Sequence, residues 1–320
     1  MLLGAIIFLQ YSLTQVTSAK CYAASMEGGG PCGAYEAGAM VALTEATPLS
    51  ELKYNVIGGI SIGSYNTCWC AGFKLGDERN MALNLKRIWL SVNSTNEIFK
   101  PWGFLSALFF RPGLVNNSPA LDFIAKEMQS NIVRNVTVGA TNINTGNLEN
   151  FNETLGPEYL PKACFASGAY GGAFPPVNFL DEWYVDGCAT ANMNSFIIID
   201  KCREYGYDDK DIVVDLYYDV YLNVMPDNRM NNTKQTVTRL NAIREFYKAE
   251  WFISQMYNNF PDVDFRYITS PSQELSMDFS NKNFRFEIDL GYNDTMAMLK
   301  KPQSERRSDF KKKFEYNPHF

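Results

Sequence analysis

Tyr54-Asn55-Val56-Ile57-Gly58-Gly59-Ile60-Ser61-Ile62-Gly63 starts as a strand-like apolar run, passes through G-x-S-x-G and leads into a helical pattern from Ile62. A serine at a strand-to-helix corner has a strained backbone with neighbouring chain close by. Glycines two residues before and two after it are then needed, because a Cβ at either place would clash. The helix that follows points its N-terminus at the corner and lends partial positive charge to an alkoxide or oxyanion. Ser61 is thus a candidate nucleophile, with Gly59 and Gly63 supporting its turn.

Working outward, strand-like and helix-like patches alternate through the first two hundred residues. An apolar strand over 21–26 runs into Gly28-Gly29-Gly30. Near-helical spacing of Ala34, Ala37, Met40, Val41 and Leu43 predicts a helix over 34–44. β-Branched strands follow at 135–140 and 211–217, with helices near 79–90, 120–128 and 191–205. This alternation predicts a layered α/β fold with a mainly parallel sheet. Past Tyr221 the pattern changes to a long helix near 236–257, a polar stretch with Pro261 and Pro271, and a last helix near 295–300. The expected organisation is a core at 20–220 and a helical extension at 221–320 packed on it, with no obvious linker between them.

The composition is that of a globular protein: 320 residues, 46% hydrophobic and 20% charged. With 29 Lys and Arg against 35 Asp and Glu, the net charge of −6 offers no global field for a phosphate backbone, so nucleic acid is not an expected partner. The tail at 300–320 is locally basic, which suits a solvated end or, less simply, an anionic membrane contact. Residues 1–19 are apolar through Leu9 and finish Thr17-Ser18-Ala19, as a secretory signal peptide does, although without Lys or Arg at the start. A buried first element is the alternative, and the protein would then be cytoplasmic rather than secreted or lumenal. An oxidising lumen would permit disulfides among seven cysteines, with one left over. Sequons at Asn93, Asn116, Asn135, Asn152, Asn231 and Asn293 would suit glycosylation there. Metal binding fits poorly, because Cys68 and Cys70 would point to different sides of a helix and His319 is the only histidine.

The loop Gly28-Gly29-Gly30-Pro31-Cys32-Gly33 also satisfies G-x-G-x-x-G between a strand and a helix, with Glu51 about twenty residues on, so a nucleotide site and a structural turn both stand as readings of it. For Ser61 the question is the base. His319 is the penultimate residue of a basic tail, which leaves a carboxylate as the better choice. Asp186, in Trp183-Tyr184-Val185-Asp186-Gly187-Cys188, ends an apolar triplet ahead of a glycine. Taken by itself, Asp-Gly is usually only a turn.

Together, GGGPCGAYEAG, GISIG, ACFASGAYGGAFPPV at 163–177 and YVDGC, in this order, resemble the patatin-like phospholipase family over about residues 21–205. The resemblance implies a three-layer α/β/α fold and a Ser-Asp dyad without histidine. It makes Ser61 the nucleophile, Asp186 its proton acceptor with Gly187 supporting the turn, and the loop of Gly28, Gly29, Gly30 and Gly33, with the Ile62 amide, the oxyanion hole. No nucleotide, cofactor or metal is then expected. The implied substrate is a lipid acyl ester, with peripheral contact to membrane or lipid aggregates. Two departures stand out: Cys32 replaces the family's usual basic residue, and Cys188 its usual Gly or Ala. Pairing of these two cysteines with each other and free thiols are both open. A weakly active or inactive lipid-binding or storage glycoprotein is the alternative, and an ordinary Ser61, Asp186, His319 hydrolase a remoter one. The aromatic segment 101–115, with Trp102, Leu105, Leu108, Phe109 and Phe110, reads as core packing or as an acyl groove.

Overall fold

The computed structural model describes residues 20–102, 106, 111–128, 131–219, 231–269, 271–273 and 275–306. Residues 1–19, read from sequence as a signal peptide, and His319, Leu105, Leu108, Phe109, Phe110 and most of the basic tail lie outside the described residues.

β1 (Cys21–Met26), β2 (Tyr54–Ile60), β5 (Asn135–Asn142), β9 (Ile212–Tyr217) and β10 (Asp264–Thr269) run parallel, in the order β10-β9-β1-β2-β5. β8 (Glu182–Asp186) pairs antiparallel with β5 and with β7 (Val177–Phe179), while β6 (Leu148–Asn152) also pairs antiparallel with β5. A separate two-residue ladder joins β3 (Lys100–Pro101) to β4 (Val115–Asn116).

Helices cover both faces, so the architecture is three-layered and the core strands can be apolar on both sides. One face carries α1 (Gly33–Ala46), α2 (Ile62–Cys70), α3 (Glu78–Ser91), α4 (Ser118–Glu127), α5 (Gly156–Ser167) and α8 (Asn281–Leu299). The other carries α6 (Ser195–Glu204) and α7 (Thr233–Asn259). Period-2 alternation sorts the strand side chains between them: Cys21 and Ala23 of β1 face α6 and α7, whereas Ala24 and Met26 join the α1 side.

The C-terminal portion contains more than periodicity revealed. β10 lies in a stretch with charged residues at Asp264 and Arg266, and it extends the sheet beside β9. Arg266 is satisfied there by Asp215 of β9, its Nη2 lying 2.7 Å from Oδ2. α8 is much longer than the helix expected near 295–300. Its polar face obscured it, and close packing on α1 holds it: a Cβ on Gly38 or on Gly291 would meet the partner helix's backbone oxygen at 2.0 Å.

The structure separates the open readings of the cysteines. Cys21 and Cys202 form a disulfide that ties β1 to α6 across 181 residues. Cys32 and Cys188 are both free, as are Cys68, Cys70 and Cys164. Of the sequon asparagines, Asn93, Asn231 and Asn293 are exposed, whereas Asn135 donates its side-chain amide to the Asn55 carbonyl inside the sheet.

Candidate active site

Ser61 sits between β2 and α2 with φ 53° and ψ −120°, a left-handed conformation that costs a non-glycine residue of order 1–3 kcal/mol. The surrounding glycines make it possible. A Cβ on Gly59 would lie 2.2 Å from the Gly63 carbonyl, and one on Gly63 would lie 2.6 Å from the Met26 carbonyl at the end of β1. Ser167, at the end of α5, locks the corner by accepting from the Ser61 N–H at 2.8 Å and donating to the Gly139 carbonyl. Ser167 belongs to a run the sequence singled out, but nothing there marked it as a brace for the serine.

Asp186 reaches Ser61 through sheet register. β5 pairs with β2 as far as Gly139 opposite Ile60, and its next residue, Ala140, pairs with Asp186 at the end of β8. The two chains therefore present their last residues to each other. Ser61 Oγ donates to Asp186 Oδ2 at 2.6 Å, and the Cys188 N–H donates to Oδ1 at 2.8 Å. Gly187 is required at the bend, since its Cβ would lie 2.5 Å from the Gly139 carbonyl. Asp186 is 2% exposed, and burial pushes its carboxyl up to about 6 despite the hydrogen bonds from Ser61 and Cys188 and the nearby Lys248 ammonium, which all favour the ionised form.

The glycine loop arches over Ser61, with a Cβ position on Gly28 only 3.0 Å from Ser61 Cβ. Of the five amides expected in an oxyanion hole, two are already used. Gly28 donates to the Asn192 carbonyl at 3.0 Å, and Gly33 donates to the carbonyls of Gly30 and Pro31. Among the described residues, the N–H groups of Gly29, Gly30 and Ile62 have no acceptor, which leaves three free backbone donors in the glycine loop and at the start of α2. Cys32 is buried among Glu27, Glu36, Asp219 and Glu287, and burial pushes its thiol up so that it stays protonated. Glu36 and Asp219 are also raised by burial, and Glu287 is pushed up to about 7. The loop therefore carries no cation of its own.

Ile62, the residue after the serine, lines a small apolar cavity of about 30 Å³ together with Tyr65, Trp69, Trp89, Phe123 and Phe279. Met277 and Phe279 also cover Gly30, whose Cβ would lie 2.8 Å and 3.8 Å from their side chains. Trp102, from the segment expected to line a groove, is half-buried under the Arg111 guanidinium and is not part of this cavity. Among the described residues no His, Cys, Asp and Glu group has metal-holding geometry, and no helix is long and apolar enough to cross a membrane.

No curated protein matches this sequence. Among solved structures, VipD from Legionella pneumophila aligns with 13% identity over 88% of this chain and 67% of its own, at a TM-score of 0.42. The sequence profile of patatin-like phospholipases matches residues 24–197, from β1 into the start of α6. That span includes the glycine loop, the serine corner and the aspartate that meets it, and over it the chain belongs to the patatin-like phospholipase family.

Proposed function

We propose that this protein is a lipid acyl hydrolase that cleaves carboxylic esters with a Ser61–Asp186 dyad. The observation that carries the proposal is the 2.6 Å hydrogen bond from Ser61 Oγ to a buried carboxylate at a strained strand-to-helix corner. Family membership supports a lipid substrate, and the small apolar cavity that Ile62 lines next to the serine is where the substrate's apolar chain would be sought first.

Asp186 takes the Ser61 proton as Oγ bonds to the ester carbonyl carbon, and the carbonyl oxygen gains negative charge facing the Gly29, Gly30 and Ile62 amides. The C–O bond to the alcohol then breaks, and the proton passes from Asp186 to the leaving alkoxide. Water, deprotonated by the same carboxylate, adds to the acyl carbon, and the bond to Ser61 Oγ then breaks as Asp186 returns that proton to Oγ and the fatty acid leaves. Each amide donor lost would cost about 3 kcal/mol of transition-state stabilisation.

A lumenal or secreted location belongs to the same reading, supported by the Cys21–Cys202 bridge, which needs an oxidising compartment to persist. A weakly active lipid-binding glycoprotein is the second reading. It is favoured by Cys188, whose sulfur lies 2.2 Å from the Cβ position of Gly28 and narrows the space over the serine.

The deciding experiment is labelling of the purified protein by a fluorophosphonate, together with hydrolysis of dispersed lipid esters. Ser61→Ala and Asp186→Asn are expected to lose both, by at least about a thousandfold, whereas His319→Ala keeps both. Loss in the histidine variant would put a triad in place of the dyad. Labelling without lipid hydrolysis would favour the binding protein.

A further inference from the structure

We propose that Lys248, on α7 and outside the residues matched by the family profile, is a positioning residue for the dyad. It clamps the loop that follows Asp186 and supplies the positive charge that the glycine loop lacks. This inference rests on the Ser61–Asp186 reading above.

The geometry is a short relay. Lys248 Nζ donates to the Cys188 carbonyl at 2.6 Å, the Cys188 N–H donates to Asp186 Oδ1 at 2.8 Å, and Asp186 Oδ2 receives Ser61 Oγ. Charge-assisted bonds of this length are the strong class of hydrogen bond. α7 is held firmly enough to deliver the ammonium, since Ala249, Phe252, Ile253 and Met256 bury the adjoining face of the helix against the sheet and α6. Glu245, one turn earlier, pairs with Lys248 at 2.5 Å and fixes the other side of its head group.

The electrostatic surroundings leave this role to Lys248. Asp186 is approached by Ser61 and Tyr65 from the β2–α2 corner, by Tyr170 from the loop after α5, by the Cys188 thiol from its own loop, and by Lys248 from α7, while Glu245 pairs with Lys248 and acts on Cys188 and Tyr170. Burial raises both phenols and the Cys188 thiol, so they stay neutral where Asp186 titrates. Among the described residues, Lys248 is the cation that draws the Asp186 carboxyl down, against the larger upward push of burial. The glycine loop offers only the uncharged Cys32 thiol on its side of the serine, so the cation reaches the site from the opposite layer.

The test is the rate of Ser61 labelling by a fluorophosphonate as a function of pH, on the full chain, for wild type, Lys248→Met, Lys248→Arg and Glu245→Gln. Lys248→Met is expected to move the acid limb to higher pH and to lower the plateau roughly tenfold, as the loss of one charged hydrogen bond does. Lys248→Arg restores the position of the limb, because a guanidinium keeps the charge and can donate to the same carbonyl. Glu245→Gln removes the competing anion and moves the limb the other way, which keeps the idea exposed should Lys248→Met fold poorly. An unmoved limb in Lys248→Met and Glu245→Gln overturns the proposal, whether or not the plateau falls. A wild type that does not label at all refutes the dyad itself, and this role with it.

Discussion

On the proposed mechanism Asp186 sets the pH behaviour of the site, and it would act on stability and activity in opposite directions. The folded protein holds the Asp186 proton up to about pH 6, above the ordinary carboxylate range, because burial penalises the anion. Between about pH 4 and 6 the folded state therefore binds more proton than the unfolded state, and this group costs stability increasingly as pH rises through that window. The proposed mechanism needs the ionised form, so activity is expected to move oppositely, rising through pH 6. We expect Asp186→Asn to be inactive yet to melt at or above the wild-type temperature at pH 8, the difference shrinking as pH falls to 4. A variant that melts well below wild type at pH 8 would mean that the carboxylate stabilises the fold, against the burial penalty on its anion. Ser61 was legible as a residue because its glycines encode a local backbone shape. Asp186 was not legible in that way: Asp-Gly is a common turn, and only the resemblance raised it. Lys248 carried no signal, since a lysine on a long polar helix looks the same whether it faces solvent or a carbonyl 60 residues away in sequence.

At the scale of elements, the corner between β2 and α2 depends on backbone passing close to backbone. Gly63→Ala would force a Cβ to within 2.6 Å of the Met26 carbonyl, and we expect a loss of about 1–3 kcal/mol in denaturant unfolding together with most of the labelling rate. Full stability in that variant would show that β1 can retreat from the corner. The segment before α8 is the other informative element. Phe279 is half-buried, lines the cavity with Ile62 and covers Gly30, so on the proposed function its side chain would contact an acyl chain near the carbonyl. Phe279→Ala should lower kcat/KM on medium-chain esters roughly fivefold more than on acetate esters, the worth of about 1 kcal/mol of apolar contact. Equal losses on both would remove this cavity from substrate binding. The aromatic segment 101–115, read from sequence as core packing or an acyl groove, is described only in part, and its Trp102 lies outside this cavity.

For the whole molecule, the Cys21–Cys202 bridge closes a loop of 181 residues between the first strand and α6. Constraining so long a loop restricts the unfolded chain, so replacing both cysteines by Ala should cost about 2–5 kcal/mol with the active site otherwise intact. An unchanged melting temperature in a reducing buffer would count against the bridge. The sequence by itself determined the alternation of strands and helices, the parallel layered class, and the shape of the serine corner. These are written in apolar periodicity and in glycine placement, which act between residues close along the chain. The tertiary structure alone decided that β8 meets β5 one residue beyond the end of β2, bringing Asp186 to Ser61 across 125 positions. It likewise decided which cysteines pair, that a charged stretch becomes β10 by pairing Arg266 with Asp215, and that α7 brings Lys248 to the Cys188 carbonyl. Each of these depends on register between distant segments, and no single segment carries that information.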